Sequence, residues 1–499
     1  MRSNSITSQE LILKLKNEEW YKEVSGRKIY PIWYENICSS YKESHDLFVQ
    51  LFDIQTDFPA VYIIDEDVIK TVFWNTPMVE KTSQAILEKI MGDRKYLDKL
   101  TNEFESRYKE TLAFCEWLKK TDFSQVSNQE LYSNYEGINT AFRRIFVGAI
   151  SPRLISRKGE IMLSDWLSER FDSKRSTELM SVLTSTLKDS FLGEEARDLL
   201  ELGIKIENGS KLEELIQEHT ESYGWIGFGF GGEEAYSPDY FIKEFEEVSK
   251  VPGSFWEKLM DLDAQKDELS SKKEDLIKEL GFGQEMLNLI DTLSEMVFFK
   301  DHIREAEMKL LLCSKPLFDE IAKRLHKDNE FVMRMFSDEI KNAFVRKLID
   351  TETISTKKEL VIYTLSGDLS IFQDDEAKMI VGSLSSSDAE VTELQGSAAS
   401  LGYAIGRAKI VITQEDFKKF EDGDILVATM TTPDFVPLMR KARAIVTDEG
   451  GITCHAAIVS RELGVPCVVG TSDATRVFKD GDQIEVKANH GIVRKIKQL

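Results

Sequence analysis

The chain has 499 residues, of which 42% are hydrophobic, and it carries a formal net charge of −23. A chain of this length exceeds what one hydrophobic core supports, so we expect two or three domains. The acidic excess argues against a nucleic-acid partner and against attraction to anionic membranes. No apolar stretch approaches the length that spans a bilayer, and residues 1–6 lack the apolar core of a signal peptide. We therefore expect a cytoplasmic protein with no membrane association.

Residues 1–385 are dominated by apolar positions at helical spacing. This spacing predicts helices at 78–90, 96–119, 128–145, 196–202 and 211–223, and a long helical set at 254–325. Strand patterns are sparse and are limited to 60–64 and 359–364. The sequence thus predicts a mostly α region over 1–385 with small β additions, and a break near 225–250 would divide it into two subdomains.

The cysteines give no sign of a metal site. They are odd in number and show no metal-ligand spacing: Cys38, Cys115, Cys313, Cys454 and Cys467. Thiols in this pattern are typical of reduced cysteines in a cytoplasm.

The segment around His455 presents a chemical group and not merely a packing pattern. Thr453 is the expected N-cap of a helix that begins just before the histidine, and Gly464 is the residue expected to end that helix. Backbone N–H groups at such a helix N-terminus suit a phosphoryl group. The elements expected here are a buried strand at 444–447, a glycine turn at 448–451, a helix at 454–463 and a strand at 467–469.

A histidine in this setting favours a carrier role over proton transfer. Imidazole is mostly neutral at pH 7, so a ring nitrogen is nucleophilic without a separate base. The resulting phosphoramidate stays reactive enough to pass its phosphoryl group onward. The alternative is a histidine whose ring only caps or packs.

Residues 450–458, Gly-Gly-Ile-Thr-Cys-His-Ala-Ala-Ile, and then 460–466 resemble the signature of the swivelling phosphohistidine domain of phosphoenolpyruvate-utilising enzymes. That group includes phosphoenolpyruvate synthase, pyruvate phosphate dikinase and rifampin phosphotransferase. Residues 394–402 resemble the opening strand and turn of that domain, and 431–434 resemble its Thr-x-Pro turn. The resemblance implies a multidomain protein with a C-terminal α/β (β/β/α) domain at 390–499, joined to the helical region by a linker at 386–400.

The resemblance also implies roles for individual residues. His455 would be the phosphorylated residue, and Gly450, Gly451, Thr453 and Cys454 would form its loop. Serine or cysteine both occur at the position of Cys454 in the family, so a small residue in the first helical turn is the preferred interpretation there.

Three further residues are candidates for supporting roles. Thr432 belongs to the Thr-x-Pro turn, and Arg461 matches a motif position, although helical geometry places it well around the axis from His455. His219 opens a His-x-x-x-Tyr-x-Trp stretch found in related proteins. Like His302, it is a candidate acid–base group on the substrate side, with a hydrogen-bonded structural role as the alternative.

Two modules of the full enzymes have no place in this pattern. An ATP-grasp module needs mixed α/β structure with glycine-rich strands and metal-binding carboxylates, which the helical pattern over 1–385 does not provide. A pyruvate-binding barrel would need about 250 residues after the phosphohistidine domain. We expect no nucleotide or metal motif in this chain, and the resemblance implies that ATP and Mg²⁺ act through a partner, an ATP-grasp subunit.

We therefore expect a phosphotransferase component that carries a phosphoryl group on His455 from an ATP-grasp nucleotide site to a small-molecule acceptor. The helical region is similar to the acceptor domain of rifampin phosphotransferase, which implies a hydroxylated or carboxylated acceptor. Two alternatives stay open. One is a non-catalytic carrier, regulatory or scaffold protein, and the other is a full enzyme with a strongly divergent nucleotide site.

Overall fold

The structure is a computed structural model that describes residues 6–18, 20–24, 29–56, 59–65, 68–228, 234–346, 359–365, 368–384, 393–451, 454–471 and 473–496. The chain divides into two compact units. Unit 1 comprises Met1–Lys89, Leu154–Ser181 and Ile321–Leu499, and unit 2 comprises Ile90–Arg153 and Val182–Glu320.

The described residues before position 390 are largely helical, as predicted. Their helices are α1 Ser8–Asn17, α2 Pro31–Phe52, α3 Thr76–Gly92, α4 Lys95–Lys120, α5 Asn128–Ser168, α6 Ser173–Leu183, α7 Phe191–Glu207, α8 Leu212–Tyr223, α9 Pro238–Lys250, α10 Phe255–Leu280, α11 Gln284–Leu325, α12 Asn329–Met333, α13 Ser337–Lys341 and α14 Asp374–Leu384. The helical set predicted at 254–325 is two helices, because Gly281 adopts the left-handed conformation that ends α10.

Unit 1 contains an antiparallel sheet that the sequence predicts only in part. Its five described strands follow the order β1-β3-β2-β4-β5. They are β1 Trp20–Val24, β2 Ala60–Asp65, β3 Val68–Asn75, β4 Glu359–Leu365 and β5 Asp368–Gln373. Alternate residues of β2 and β4, such as Val61 and Val361, pack against Leu11 of α1 in one apolar cluster. The patterns at 60–64 and 359–364 thus predict the two central strands, and the other three were missed.

Unit 2 contains a helical core of its own. Aromatic and aliphatic side chains of α7, α8, α9 and α10 bury one another there. Gly203 of α7 has no side chain because an added Cβ would lie 2.2 Å from the ring of Phe255. That close approach lets α7 pack directly on the start of α10.

The described residues from 393 to 496 form a mixed eight-stranded sheet in the order β6-β13-β12-β8-β9-β10-β11-β7. Its strands are β6 Glu393–Gln395, β7 Ser397–Ser400, β8 Tyr403–Val411, β9 Ile425–Ala428, β10 Ala444–Thr447, β11 Cys467–Val469, β12 Gln483–Lys487 and β13 Ile492–Lys495, and its helices are α15 Val436–Lys441, α16 His455–Leu463 and α17 Ala474–Val477.

Strands β8 to β11 of this sheet are parallel, and the strands flanking them are antiparallel. Every residue of β9 and β10 is buried, as is typical of parallel strands covered on both faces. One apolar cluster lies on each face. Residues 393–395 and 397–400, which fall in the expected linker, pair in β6 and β7 and are part of this domain, whereas 385–392 lie outside the described residues.

Within the described part of the chain, no helix combines the length and the apolar character needed to cross a membrane. The five cysteines all lie in described positions and form no disulfide.

Candidate phosphohistidine site

The loop that carries His455 follows the carboxyl end of β10 and leads into α16. Gly450 has a positive φ of 107°, which a side chain would strain, and so provides the turn. Cys454 is the N-cap, with an extended backbone and no capping hydrogen bond from its side chain. Thr453, the expected N-cap, lies outside the described residues. His455 is the first residue of the helix, where backbone N–H groups lack partners within the helix.

The buried carboxylate of Asp448 fixes the start of this turn by hydrogen bonds. Asp448 accepts hydrogen bonds from the backbone N–H of Thr475, at 3.0 Å, and from the hydroxyl of the same residue. Burial raises the pKa of Asp448 to about 6. Sequence reasoning missed this contact, because it joins a turn to a short helix 27 positions further along the chain.

The His455 imidazole has one occupied and one open nitrogen. Its Nδ1 lies 2.8 Å from the hydroxyl oxygen of Thr431, a buried residue that follows β9. Its Nε2 is shielded from solvent and has no hydrogen-bond partner among the described residues. Burial lowers the pKa of His455 to about 4, so the ring is neutral at pH 7.

The open nitrogen favours one tautomer. A buried N–H without an acceptor costs more than a buried lone pair without a donor, and orphaned N–H groups are rare in proteins. The favoured arrangement therefore has Nδ1–H donating to Thr431, which leaves a lone pair on Nε2. That atom is the nucleophilic nitrogen of the ring.

Thr431, and not Thr432, contacts the imidazole. The hydroxyl of Thr432 donates instead to the carboxylate of Asp434, and its carbonyl accepts from Phe435 N–H at 2.9 Å. These bonds cap the short turn Pro433–Phe435. The Thr-x-Pro motif drew attention to Thr432, but the preceding threonine is the one that faces the site.

The second glycine of the loop lies against the end of a glutamate side chain. The φ of Gly451 lies outside the left-handed region, yet an added Cβ would lie 2.2 Å from Oε2 of Glu160 in α5. Burial lowers the pKa of Arg461, and negative charges that include Glu462 and Glu160 oppose this effect. Arg461 thus belongs to the charged surroundings of Glu160, and sequence reasoning gave no sign of Glu160, which is 291 positions before Gly451.

The remaining candidates lie elsewhere or have modest roles. Cys454 packs beside the apolar cluster on its face of the sheet, in keeping with a small first-turn residue. His219 is buried in unit 2, where its Nε2 lies 2.8 Å from Oε1 of Glu195 and its ring packs against Tyr223 and Phe241. The contacts of His219 fit its hydrogen-bonded structural alternative.

The comparison with known families identifies the type of domain that carries this loop. Residues 420–491 match the family described as PEP-utilising enzyme, mobile domain. The C-terminal domain is therefore a mobile domain of the phosphoenolpyruvate-utilising enzymes.

The relatives are phosphoenolpyruvate synthases, matched over this region only. The chain is 61% identical over 100 residues to a protein of Archaeoglobus fulgidus named "Probable phosphoenolpyruvate synthase", which covers 20% of this chain and 13% of that protein. It is 54% identical over 108 residues to phosphoenolpyruvate synthase of Pyrococcus furiosus, covering 22% and 13% respectively. The chain thus spans only a small part of the length of these relatives.

A solved structure is similar over a comparable share of the chain. The holo form of aconitase X from Thermococcus kodakaraensis aligns with 21% of this chain and 100% of its own, at 19% identity and a TM-score of 0.18. A score this low has no bearing on function.

We expect the His455 ring to stay neutral from pH 8 down to about pH 5, because its folded pKa is about 4. The unfolded ring has a pKa near 6.5, so the folded state binds fewer protons between these values. The contribution of the neutral, buried His455 ring to the free energy of unfolding is complete above about pH 6.5 and is lost as the pH falls toward 4. Histidine NMR of the full chain, with signals assigned by His455→Gln, measures this directly. A His455 transition near pH 6.5 would contradict the buried, neutral ring.

We expect Thr431→Val to slow chemical phosphorylation of His455 by phosphoramidate by roughly tenfold, about the value of one hydrogen bond. Valine keeps the shape but no longer holds Nδ1–H, so the reactive tautomer and ring orientation are less populated. Thr432→Val is the matched control and should react at the wild-type rate. Equal rates for both variants would show that the Thr431 contact does not orient the ring.

Proposed function

We propose that this chain is the acceptor-binding half of a split phosphotransferase of the phosphoenolpyruvate synthase and dikinase type. His455 takes a phosphoryl group from a nucleotide site on a separate ATP-grasp protein, and the group then passes to a small molecule bound by the helical region. The single observation that supports this best is the neutral imidazole with an open Nε2 at a helix N-terminus. The similarity of its domain to phosphoenolpyruvate synthases supports the same proposal.

The chain's own residues account for the carrier chemistry. ATP with Mg²⁺ on the partner supplies the phosphoryl group. The Nε2 lone pair forms the new N–P bond as a P–O bond of ATP breaks and the rest of the nucleotide leaves on the partner, and the proton stays on Nδ1, where the Thr431 oxygen holds it. A ring that keeps this proton is a good leaving group, so the second transfer, to the acceptor, returns the neutral imidazole. The N–H groups of the first turn of α16 stabilise the phosphoryl oxygens.

A separate nucleotide partner fits the architecture of the described residues. Outside the C-terminal domain their sheet is the antiparallel one formed by β1 to β5, and the rest is helical. These residues do not fit the glycine-rich mixed α/β module and paired carboxylates that an ATP-grasp site needs.

The helical region offers a candidate acceptor cavity in unit 2. Its volume is about 290 Å³, and its polar and aromatic lining includes Arg94, Asp98, Glu105, Lys188, Glu295 and Phe298. The ring of His302 stacks on that of Phe298 with centroids 4.8 Å apart, and its Nε2 lies 3.4 Å from Oε2 of Glu105. A lining that combines cationic, carboxylate and aromatic side chains suits a small hydroxylated or carboxylated acceptor.

Labelling of the purified chain with Mg²⁺ and ATP that carries label on both its β- and γ-phosphates tests the split. We expect no label with the chain alone, and an alkali-stable, acid-labile label on His455 when a cognate ATP-grasp protein is added. His455→Gln should abolish the label. Label on the chain alone would support a complete enzyme with its own nucleotide site. Absence of label with every donor, phosphoramidate included, would leave a scaffold or regulatory protein.

The acceptor cavity has its own test. We expect Lys188→Met to leave loading of His455 unchanged and to reduce the transfer of label to a cellular small-molecule extract at least about tenfold, because Lys188 lines the cavity. Lys211→Met, at an exposed lysine of the same unit, should transfer normally. Normal transfer by the Lys188 variant would place the acceptor elsewhere.

A further inference from the structure

The cavity in unit 2 has an acidic balance of charges. The charged side chains of its lining are the carboxylates of Asp98, Glu105 and Glu295 and the cations of Arg94 and Lys188. Nζ of Lys188 lies 2.6 Å from Oε2 of Glu295. The guanidinium of Arg94 forms ion pairs with Asp98 and with Asp291. Both lining cations therefore already face carboxylates, and a carboxylated acceptor would add a negative charge to a lining that has more carboxylates than cations.

The same lining suits a neutral hydroxyl group. Thr101 and Asn102 contribute a hydroxyl and an amide to the cavity, and Phe298 and Phe299 contribute apolar surface. A hydroxyl can donate its proton in a hydrogen bond to a carboxylate without any charge repulsion. The charges thus favour an alcohol over a carboxylic acid as the molecule bound here.

Glu105 is the lining carboxylate that has an imidazole beside it. Its Oε2 lies 3.4 Å from Nε2 of His302, and its Oε1 lies 3.1 Å from Nζ of Lys109, an exposed side chain. Each carboxylate oxygen has two lone pairs, so both oxygens can accept a further hydrogen bond. Glu105 is 37% exposed, and it is thus accessible to a molecule in the cavity.

The ring of His302 is held in place between two aromatic rings. Its centroid lies 3.5 Å from that of Tyr108 and 4.8 Å from that of Phe298, and the rings are nearly parallel. Burial lowers the pKa of His302, so its ring is neutral at pH 7. Its Nε2 is shielded from solvent and makes no well-aligned hydrogen bond among the described residues. A small shift of the Glu105 carboxylate would satisfy this nitrogen as an N–H donor, and the clamped ring would then fix the carboxylate.

Building on the proposed function, we propose that the acceptor is an alcohol, that Glu105 takes the proton of its hydroxyl, and that His302 positions this carboxylate. The hydroxyl oxygen forms the new P–O bond while its proton moves to Glu105. The P–N bond to Nε2 of His455 breaks, and its electron pair returns to the ring. Glu105 then releases the proton to water, and the product is a phosphate monoester. A carboxylate has this task in protein kinases, where an aspartate accepts the proton of the substrate hydroxyl.

The chemical class of the acceptor is tested with the full-length chain loaded on His455 by labelled phosphoramidate. A cellular small-molecule extract is separated by anion exchange, and each fraction is offered to the loaded chain. We expect label to move into the unbound fraction, in a product that resists hydroxylamine and is cleaved by alkaline phosphatase. Transfer only to the anionic fraction, or a product that hydroxylamine cleaves as it cleaves acyl phosphates, would overturn the alcohol assignment.

The role of Glu105 is tested by substitution and chemical rescue. We expect Glu105→Gln to load normally and to transfer label to the unbound fraction at least about 100-fold more slowly, in the range of general acid–base catalysis. Formate should restore part of the transfer by Glu105→Ala, because a free carboxylate can replace a missing base but cannot repair a distorted cavity. Glu110→Gln, at an exposed position of the same helix, is the matched control and should transfer normally. Normal transfer by Glu105→Gln, or no rescue by formate, would remove Glu105 from this role.

A double-mutant comparison tests the positioning role of His302. We expect His302→Asn to slow transfer about tenfold, roughly the value of one hydrogen bond, and to have no further effect when combined with Glu105→Gln. Equal losses in both backgrounds would show that His302 only supports the fold.

The outcomes for the proposed function are separate from these. Impaired transfer by Lys188→Met together with normal transfer by Glu105→Gln would keep the cavity and exclude the base. Failure of the wild-type chain to load would remove the carrier role. Loading without transfer to either fraction would remove the acceptor role, and this inference with it.

Discussion

The hydrogen bond between Thr431 and Nδ1 of His455 is the interaction on which the proposed chemistry of this site depends. It occupies one ring nitrogen and leaves the other open, and burial keeps the ring neutral. Without that bond the ring could rotate or change tautomer, and the buried Nε2 could carry either a proton or a lone pair. The sheet makes the bond possible, because β9 and β10 are parallel neighbours with Ala428 opposite Thr447. Their carboxyl ends bring the Thr431 turn and the His455 loop together at one edge, which is where parallel sheets place their ligands.

Local sequence was sufficient for the elements of the site and insufficient for their contacts. The pattern from 444 to 469 predicted the strand, glycine turn, helix and following strand, since each depends on residues within a few positions. The helix ends at Gly464, which adopts the left-handed conformation expected of a C-terminal glycine. Thr431, Asp448 with Thr475, and Glu160 act across larger separations, and their side chains carry no local signature. A single sequence cannot reveal such pairings.

At two glycines, contacts with distant parts of the chain were not predictable from the local sequence. Gly451 resembled a second turn glycine, but its φ lies outside the left-handed region, and the end of the Glu160 side chain lies against it. Helix α5 was predicted to end at 145, yet it continues through Gly148 and Pro152 to Ser168. An added Cβ on Gly148 would lie 2.2 Å from Ile303, so the missing side chain admits a neighbouring helix, and burial there offsets the low helix propensity of glycine. That continuation is what places Glu160 on a helix at all.

The C-terminal domain has a hydrophobic core of its own, as the proposed carrier role requires. Every residue of its two apolar clusters lies between 394 and 493, so the sheet buries its faces with side chains of its own segment. Its stability therefore does not require the contact with α5, and losing that contact removes one polar approach and leaves both clusters intact. A domain with a core of its own suits the proposed carrier role, in which the fold is kept while His455 meets first a donor and then an acceptor.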